Sequence, residues 1–202
     1  GIVLHVTNLN DSGPGSFRWA LADEINTPQN RTIVFDVSGV IQLNSDIILS
    51  DPLNGGNATG GITLAGQTAP LGGITITGGK LRLFGVDHII ARFMKFRETT
   101  PTDGCFSTTG GSYIIFDHLS ASNTPDICFS LTSNINIPTD KTLQNCLMAQ
   151  SKNALIIGDT TPTPNVDYGD ISVIRNAYYN ISHRIPFKGG AAIKVDAINN
   201  IA

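Results

Sequence analysis

The chain has 202 residues, 14% of them charged, and a net charge of −3, enough length for a sizeable core and too little basic charge for a general nucleic-acid-binding surface. A polyanion could be held only by local cations. No apolar run reaches membrane-spanning length, no charged-then-apolar leader opens the chain at Gly1, and three cysteines without a CxxC pair argue against a disulfide framework or a cysteine metal site.

In chain order, VTNLNDSGPGS carries turn chemistry, and FRWALADEI comes next with Phe17, Trp19, Ala20, Leu21 and Ile25 at helical spacing behind Ser16 as N-cap. The pattern predicts a short amphipathic helix lying over the open end of the fold and shielding its strand edges. TIVFDVSGVIQL and SDIILS read as the first strands, and residues 51–60 as a polar loop. From Gly61 onward one phrase recurs: a β-branched run, a small-residue corner, another run. Arg92, Asp117, Asn145, Asn176 and Ala197 mark successive long phrases about 21 to 31 residues apart. Such units cannot bury their apolar faces alone and must stack. The expected fold is all-β, a right-handed parallel β-helix (solenoid) forming a single domain over 1–202, with an N-terminal cap over 1–30 and coils over 31–202.

Cys105, Cys128 and Cys146, 23 and 18 residues apart, fit small buried residues in a core stack. Asn145, Asn176 and one of Asn199 or Asn200 fall at matching places, as an inward asparagine ladder or as outer turn residues. The chain stops at INNIA just after a strand, without a visible polar cap. This is expected of a truncated end or of a last coil covered by a partner, and it leaves self-assembly through that coil open.

Several stretches together resemble the pectate lyase family of polysaccharide lyases: VTNLNDSGPGSFRWAL, RTIVFDVSGVIQL, ITLAGQTAPLGGITITGG, HIIARFMKFR, YIIFDHLSAS, and HRIPFKGG followed by INN. The resemblance covers nearly the whole chain. It implies a parallel β-helix and a secreted enzyme that cleaves an acidic polysaccharide, pectate, by Ca²⁺-assisted β-elimination. That chemistry needs a cation to neutralise the uronate carboxylate as charge builds, and a base to take the neighbouring proton.

The same resemblance places the catalytic base at Arg184, although an arginine scarcely deprotonates in proteins. It places substrate-binding cations at Lys152 and Lys188, where lysine lacks the bidentate fork of arginine. It places calcium ligands at Asp103, Asp126 and Ser130, the last standing where the family often has an aspartate. Two carboxylates and a hydroxyl make a weak shell that a substrate carboxylate would complete. His183, beside Arg184, reads as a packing, hydrogen-bonding or substrate-binding histidine and is the chemically easier proton acceptor. Asp117 and His118 read as structural hydrogen-bonders. Each site residue also has an ordinary reading: a surface ion pair, a solvated lysine, a turn aspartate.

Two functions stay open. One is a lyase acting on an acidic polysaccharide, monomeric, with no nucleic-acid or membrane partner. The other is a non-catalytic solenoid used for glycan binding, adhesion or fibre formation, favoured by the thinned calcium shell and by Lys188.

Overall fold

Runs that alternate aliphatic and polar residues form short strands, none long enough to bury its apolar side by itself. The computed structural model describes residues 1–23, 30–52, 55–56, 58, 60–99, 104–132, 140–158, 170–185, 187–189 and 194–202. These stack into a parallel β-solenoid of about six turns. Strand β1 (Ile2–Val6) precedes the first full turn of β2 (Arg31–Phe35), β3 (Gly39–Gln42) and β4 (Ile47–Ser50). The second turn is β5 (Ile62–Ala65), β6 (Ile74–Gly78) and β7 (Leu81–Phe84), and the third β8 (Ile89–Arg92), β9 (Met94–Thr99) and β10 (Gly104–Thr109). The fourth is β11 (Ile114–Asp117), β12 (Ser120–Ser122) and β13 (Ile127–Thr132). In the fifth, β14 (Lys141–Gln144) leads to β15 (Leu147–Gly158), which rounds a corner and serves two faces. The sixth is β16 (Asp170–Ile174), β17 (Ala177–His183) and β18 (Phe187–Gly189), after which β19 (Lys194–Ile198) pairs with β16.

Three faces result. The first runs β1-β2-β5-β8-β11-β14-β16-β19, with register partners 24 to 31 residues apart, the period of the sequence repeat. The second holds β3, β6, β9, β12, the start of β15 and β17; the third holds β4, β7, β10, β13, the end of β15 and β18.

Inside, equivalent positions form columns. Ile33, Leu64, Ala91, Phe116, Leu143 and Val173 are successive partners on the first face, all at most 1% exposed. Phe116 joins Phe96 of the second face and Phe106 and Phe129 of the third in one aromatic cluster, with the Phe106 and Phe116 ring centroids 4.2 Å apart. Each such side chain contributes roughly 1.5–3 kcal/mol by leaving water.

One column has two charged members. Arg31, Ile62, Ile89, Ile114, Lys141 and Ile171 succeed one another, with Arg31 only 3% and Lys141 only 2% exposed. Lys141 is held by oxygens of neighbouring turns. Its Nζ donates to Gly110 O at 2.8 Å, Thr132 O at 2.8 Å and Thr108 Oγ1 at 3.1 Å. Burial pushes this amine down to about 7, with the Asp87 charge pulling weakly the other way.

The corners are made by single residues in the left-handed region. Phe93, His118, Asn145, Arg175 and Asn199 turn the chain from first to second face, and Glu98, Asn123, Gln150 and Asn180 from second to third. None is glycine, so each corner carries a cost on the order of 1 kcal/mol that the stacked neighbours must offset.

Three expectations meet the structure here. No distinct N-terminal capping helix forms. Ser16 does cap a helical turn, its Oγ accepting from Trp19 N at 3.2 Å, but the turn runs into a five-residue π-helical stretch, Trp19–Asp23. Phe17, Ala20 and Leu21 are drawn fully into the common core, Phe17 lying 5.7 Å from the Phe35 ring, so the segment is part of the core rather than a lid over it. Ile25 lies outside the described residues. The asparagine ladder exists at Asn176 and Asn200: Asn176 Nδ2 donates to Asn200 Oδ1 at 3.1 Å and to Leu143 O at 3.0 Å, and its Oδ1 accepts from Cys146 N. Asn145 is not a rung. It occupies the left-handed corner one residue earlier, and Cys146 takes the rung position. The three cysteines are free and buried, Cys105 and Cys128 adjacent at one corner and Cys146 at another.

Candidate functional site

The corner between second and third faces gathers most of the expected site residues. Asp126 sits in the turn before β13, Lys152 at the bend of β15, and His183 and Arg184 at the end of β17. Register explains the meeting: Ile127 pairs with Asn153, and Asn153 with His183, so three consecutive turns place their corner residues side by side. The turn itself is pinned from below. Ser151 Oγ donates to Asp126 O at 2.9 Å, Thr124 Oγ1 lies 2.6 Å from Ser151 Oγ, and Asn153 N donates to Asp126 O at 2.7 Å.

A relay of side chains crosses the same corner. Asn153, 2% exposed, donates from Nδ2 to Asp126 Oδ1 at 2.6 Å, and its Oδ1 lies 3.2 Å from His183 Nδ1. Lys152 and His183 are exposed, and Arg184 is half-buried. Arg184 has φ 55°, and its carbonyl accepts from Ala154 N and Leu155 N, both at 3.3 Å. Ser182 Oγ reaches Lys152 O at 3.3 Å. Ser130 lies within β13 between the wholly buried Phe129 and Leu131 and is itself buried, 7% exposed, in register with Ser107 and Ile156. Lys188 is in β18, opposite Ile157 in register. Asp103 lies outside the described residues.

Sequence reasoning missed Asn153. The signal was present: it follows Lys152 directly and stands 27 residues after Asp126 and 30 before His183, one turn each way.

Among the described residues no group of three His, Cys, Asp or Glu side chains is placed to hold a metal. Asp126 fits a hard cation in part: one oxygen is committed to Asn153, and Oδ2 has no hydrogen bond among the described residues.

Asp117 and His118 form a separate cluster at the other corner. Asp117, 3% exposed, accepts from Arg92 Nε at 2.8 Å, Asn145 Nδ2 at 2.8 Å, His118 Nδ1 at 2.7 Å and Gln144 Nε2 at 3.3 Å. His118 also stacks on Phe93, with centroids 4.6 Å apart. Burial alone would raise the Asp117 carboxyl, but hydrogen bonds from Asn145, Arg92 and His118 hold it below the ordinary value of 3.8. The folded value lies below the unfolded one, so its stabilisation is complete above that ordinary value and is lost as pH falls below it. Asp117→Asn should therefore lower stability at neutral pH by about 1–3 kcal/mol and blunt the loss of stability below pH 3.8, read by unfolding midpoints across pH. An unchanged acid limb would count against this role.

No family model matches the chain. Two curated proteins named "Probable pectate lyase C" are similar to it: one from Aspergillus oryzae, 33% identical over 189 residues that make up 92% of this chain and 40% of that protein, and one from Aspergillus terreus, 32% identical over 204 residues, 100% of this chain and 43% of that protein. The chain thus spans about two-fifths of the length of the curated relatives it matches. Among solved structures, the crystal structure of jun a 1, the major allergen from cedar pollen, matches all of this chain and 62% of its own with a TM-score of 0.67 at 16% identity, a likeness of fold. No helix among the described residues is long and apolar enough to cross a membrane. Over nearly all of its length, this chain is a homologue of proteins named pectate lyase C.

Proposed function

We propose that the protein is a polysaccharide lyase that cleaves an acidic galacturonan, pectate, by β-elimination, acting on a polymer outside the cell. The observation that carries this reading is the corner where Asp126, Lys152, His183 and Arg184 converge from consecutive turns, in a chain whose relatives are named pectate lyases. Lys152 and Arg184 supply cations for uronate carboxylates, and the exposed edge of stacked turns suits a linear polymer. Lys188 and Asp103, given binding roles by the motif resemblance, complete the proposed set.

When bound, Ca²⁺ would neutralise the uronate carboxylate and so acidify the neighbouring C–H. Asp126 would hold it through Oδ2, with Asp103 and Ser130 as further oxygen donors and substrate carboxylates filling the rest of the shell. Calcium binding should accordingly be weak in the free protein and tighter with polygalacturonate, measured by titration calorimetry with and without an oligogalacturonate. Equal affinity in both states would contradict the shared shell.

The direct test is incubation with polygalacturonate and Ca²⁺ across neutral to alkaline pH. The expected result is rising ultraviolet absorbance from a new carbon–carbon double bond, abolished by a chelator. Binding without such absorbance would instead identify a glycan-binding solenoid and sink the lyase reading.

A further inference from the structure

We infer that the start of the first face is a second glycan-binding site, apart from the corner of Asp126 and Arg184, and that it takes a segment of a neutral β-1,4-linked polysaccharide. The inference goes beyond the lyase reading and needs no cleavage. Where the third face turns into the first, His88, Tyr113, Asp140 and Asp170 occupy the same corner position in four successive turns. The residues after them, Ile89, Ile114, Lys141 and Ile171, are register partners. The His88 and Tyr113 rings stack with centroids 4.9 Å apart. The stack ends there, since the next two positions carry carboxylates, and Tyr113 stays 58% exposed.

Beside the ring lies a pocket of about 360 Å³, lined by Ile90, Ile115 and Thr142 with Asp140 and the two rings. Ile90, Ile115 and Thr142 are register partners at outward positions of β8, β11 and β14, and the two isoleucines are 37% and 38% exposed. Two bare isoleucines beside a bare aromatic ring are uncommon on a surface facing only water. An apolar floor with a carboxylate and a hydroxyl at its edge is the composition of a ligand site.

Charge and shape choose the occupant. No Lys or Arg is among the described residues lining the pocket, while Asp140 and Asp170 stand in adjacent turns, the latter with Lys194 at 3.8 Å. A uronate or a phosphate would meet carboxylates and find no cation to neutralise it. A small hydrated cation would have to shed water against isoleucine. A neutral pyranose meets neither cost. Its C–H bonds, slightly positive, lie on the negative face of the Tyr113 ring and on the isoleucines. Its edge hydroxyls donate to the Asp140 carboxylate, a charge-assisted bond, and to Thr142 Oγ1. A β-1,4-linked chain is a flat ribbon of such rings, and the stacked strands of the first face, about 4.8 Å apart, offer a flat strip to lay it on.

The test is titration of the protein with cellohexaose and with xylohexaose, followed by ¹H–¹³C spectra of its isoleucine methyls and tyrosine rings. Either sugar should move the signals of Tyr113, Ile90 and Ile115. Tyr113→Ala should weaken that binding by about 5- to 10-fold, and Tyr113→Phe, which keeps the ring, should hold it within about twofold. Asp140→Ala should weaken it by about threefold. Tyr113 sits at φ 61°, as unfavourable for tyrosine as for alanine, and unchanged methyl dispersion elsewhere in the variant checks that the corner is kept. The inference is overturned if neither hexaose moves these signals, or if Tyr113→Ala binds as the wild type does. It is overturned equally if an oligogalacturonate moves them as strongly as the neutral sugars. Signals that move with protein concentration alone would give the face to a second copy of the chain and also overturn it. None of these outcomes depends on cleavage of polygalacturonate, so the lyase reading stands or falls separately.

Discussion

Replacing Lys141 with methionine is expected to lower stability by about 2–4 kcal/mol, or roughly 5–10 °C in the unfolding midpoint for a chain of this size. Methionine fills the space of the alkyl stem and fits the isoleucine column, so packing changes little. What is lost is the donor. Gly110 O and Thr108 Oγ1 would stay buried without the amine that now reaches them, while Thr132 O keeps its bond from Gly110 N at 3.0 Å. The pH dependence separates this from a packing defect. The folded amine is pushed down to about 7 from an ordinary 10.5, so between those values the unfolded chain binds more protons than the folded one. Wild-type stability should rise with pH through that window, and the variant should lack the rise. Parallel curves for the two proteins, measured by denaturant unfolding, would refute the assignment.

Arg184→Ala is expected to lower kcat/KM on polygalacturonate by about 10²- to 10³-fold, the range for removing a preorganised charge from a developing anion. The backbone of the corner should tolerate it: Arg184 already sits at φ 55°, a region as unfavourable for arginine as for alanine, and its carbonyl bonds to Ala154 N and Leu155 N are kept in the variant. A variant that stays folded at the assay temperature and shows a large kinetic loss is the expected result. Activity within a few-fold of wild type would remove Arg184 from the reacting site.

Much of this architecture was legible in the chain because a solenoid writes its geometry into sequence spacing. Alternation within phrases pointed to strands, and the phrase period pointed to stacking. Of the residues that the resemblance singled out, Asp126, Lys152, His183 and Arg184 share one corner, and Asp103 lies outside the described residues. Where the pattern misled, a one-residue difference mattered. Asn145 and Cys146 are adjacent, yet one makes the left-handed corner and the other takes the ladder position, a choice set by the turn of the backbone and not by residue type. Likewise the helical spacing of Phe17, Ala20 and Leu21 was real, but tertiary packing claimed those side chains for the core.

Residue order alone, then, determined the class of fold, the resemblance to pectate lyases and the corner on which charged residues gather, because each depends on periodicity or on local motifs. Only the tertiary structure decided the hydrogen bonds that give those residues their chemistry. A lysine in a column of isoleucines looks like any surface lysine until three oxygens from neighbouring turns are seen around it. Asn153 looks like a turn residue until Asp126 and His183 are seen on either side of its amide. Donor and acceptor assignments pass between groups that meet only through stacking, so no single segment of the chain carries them.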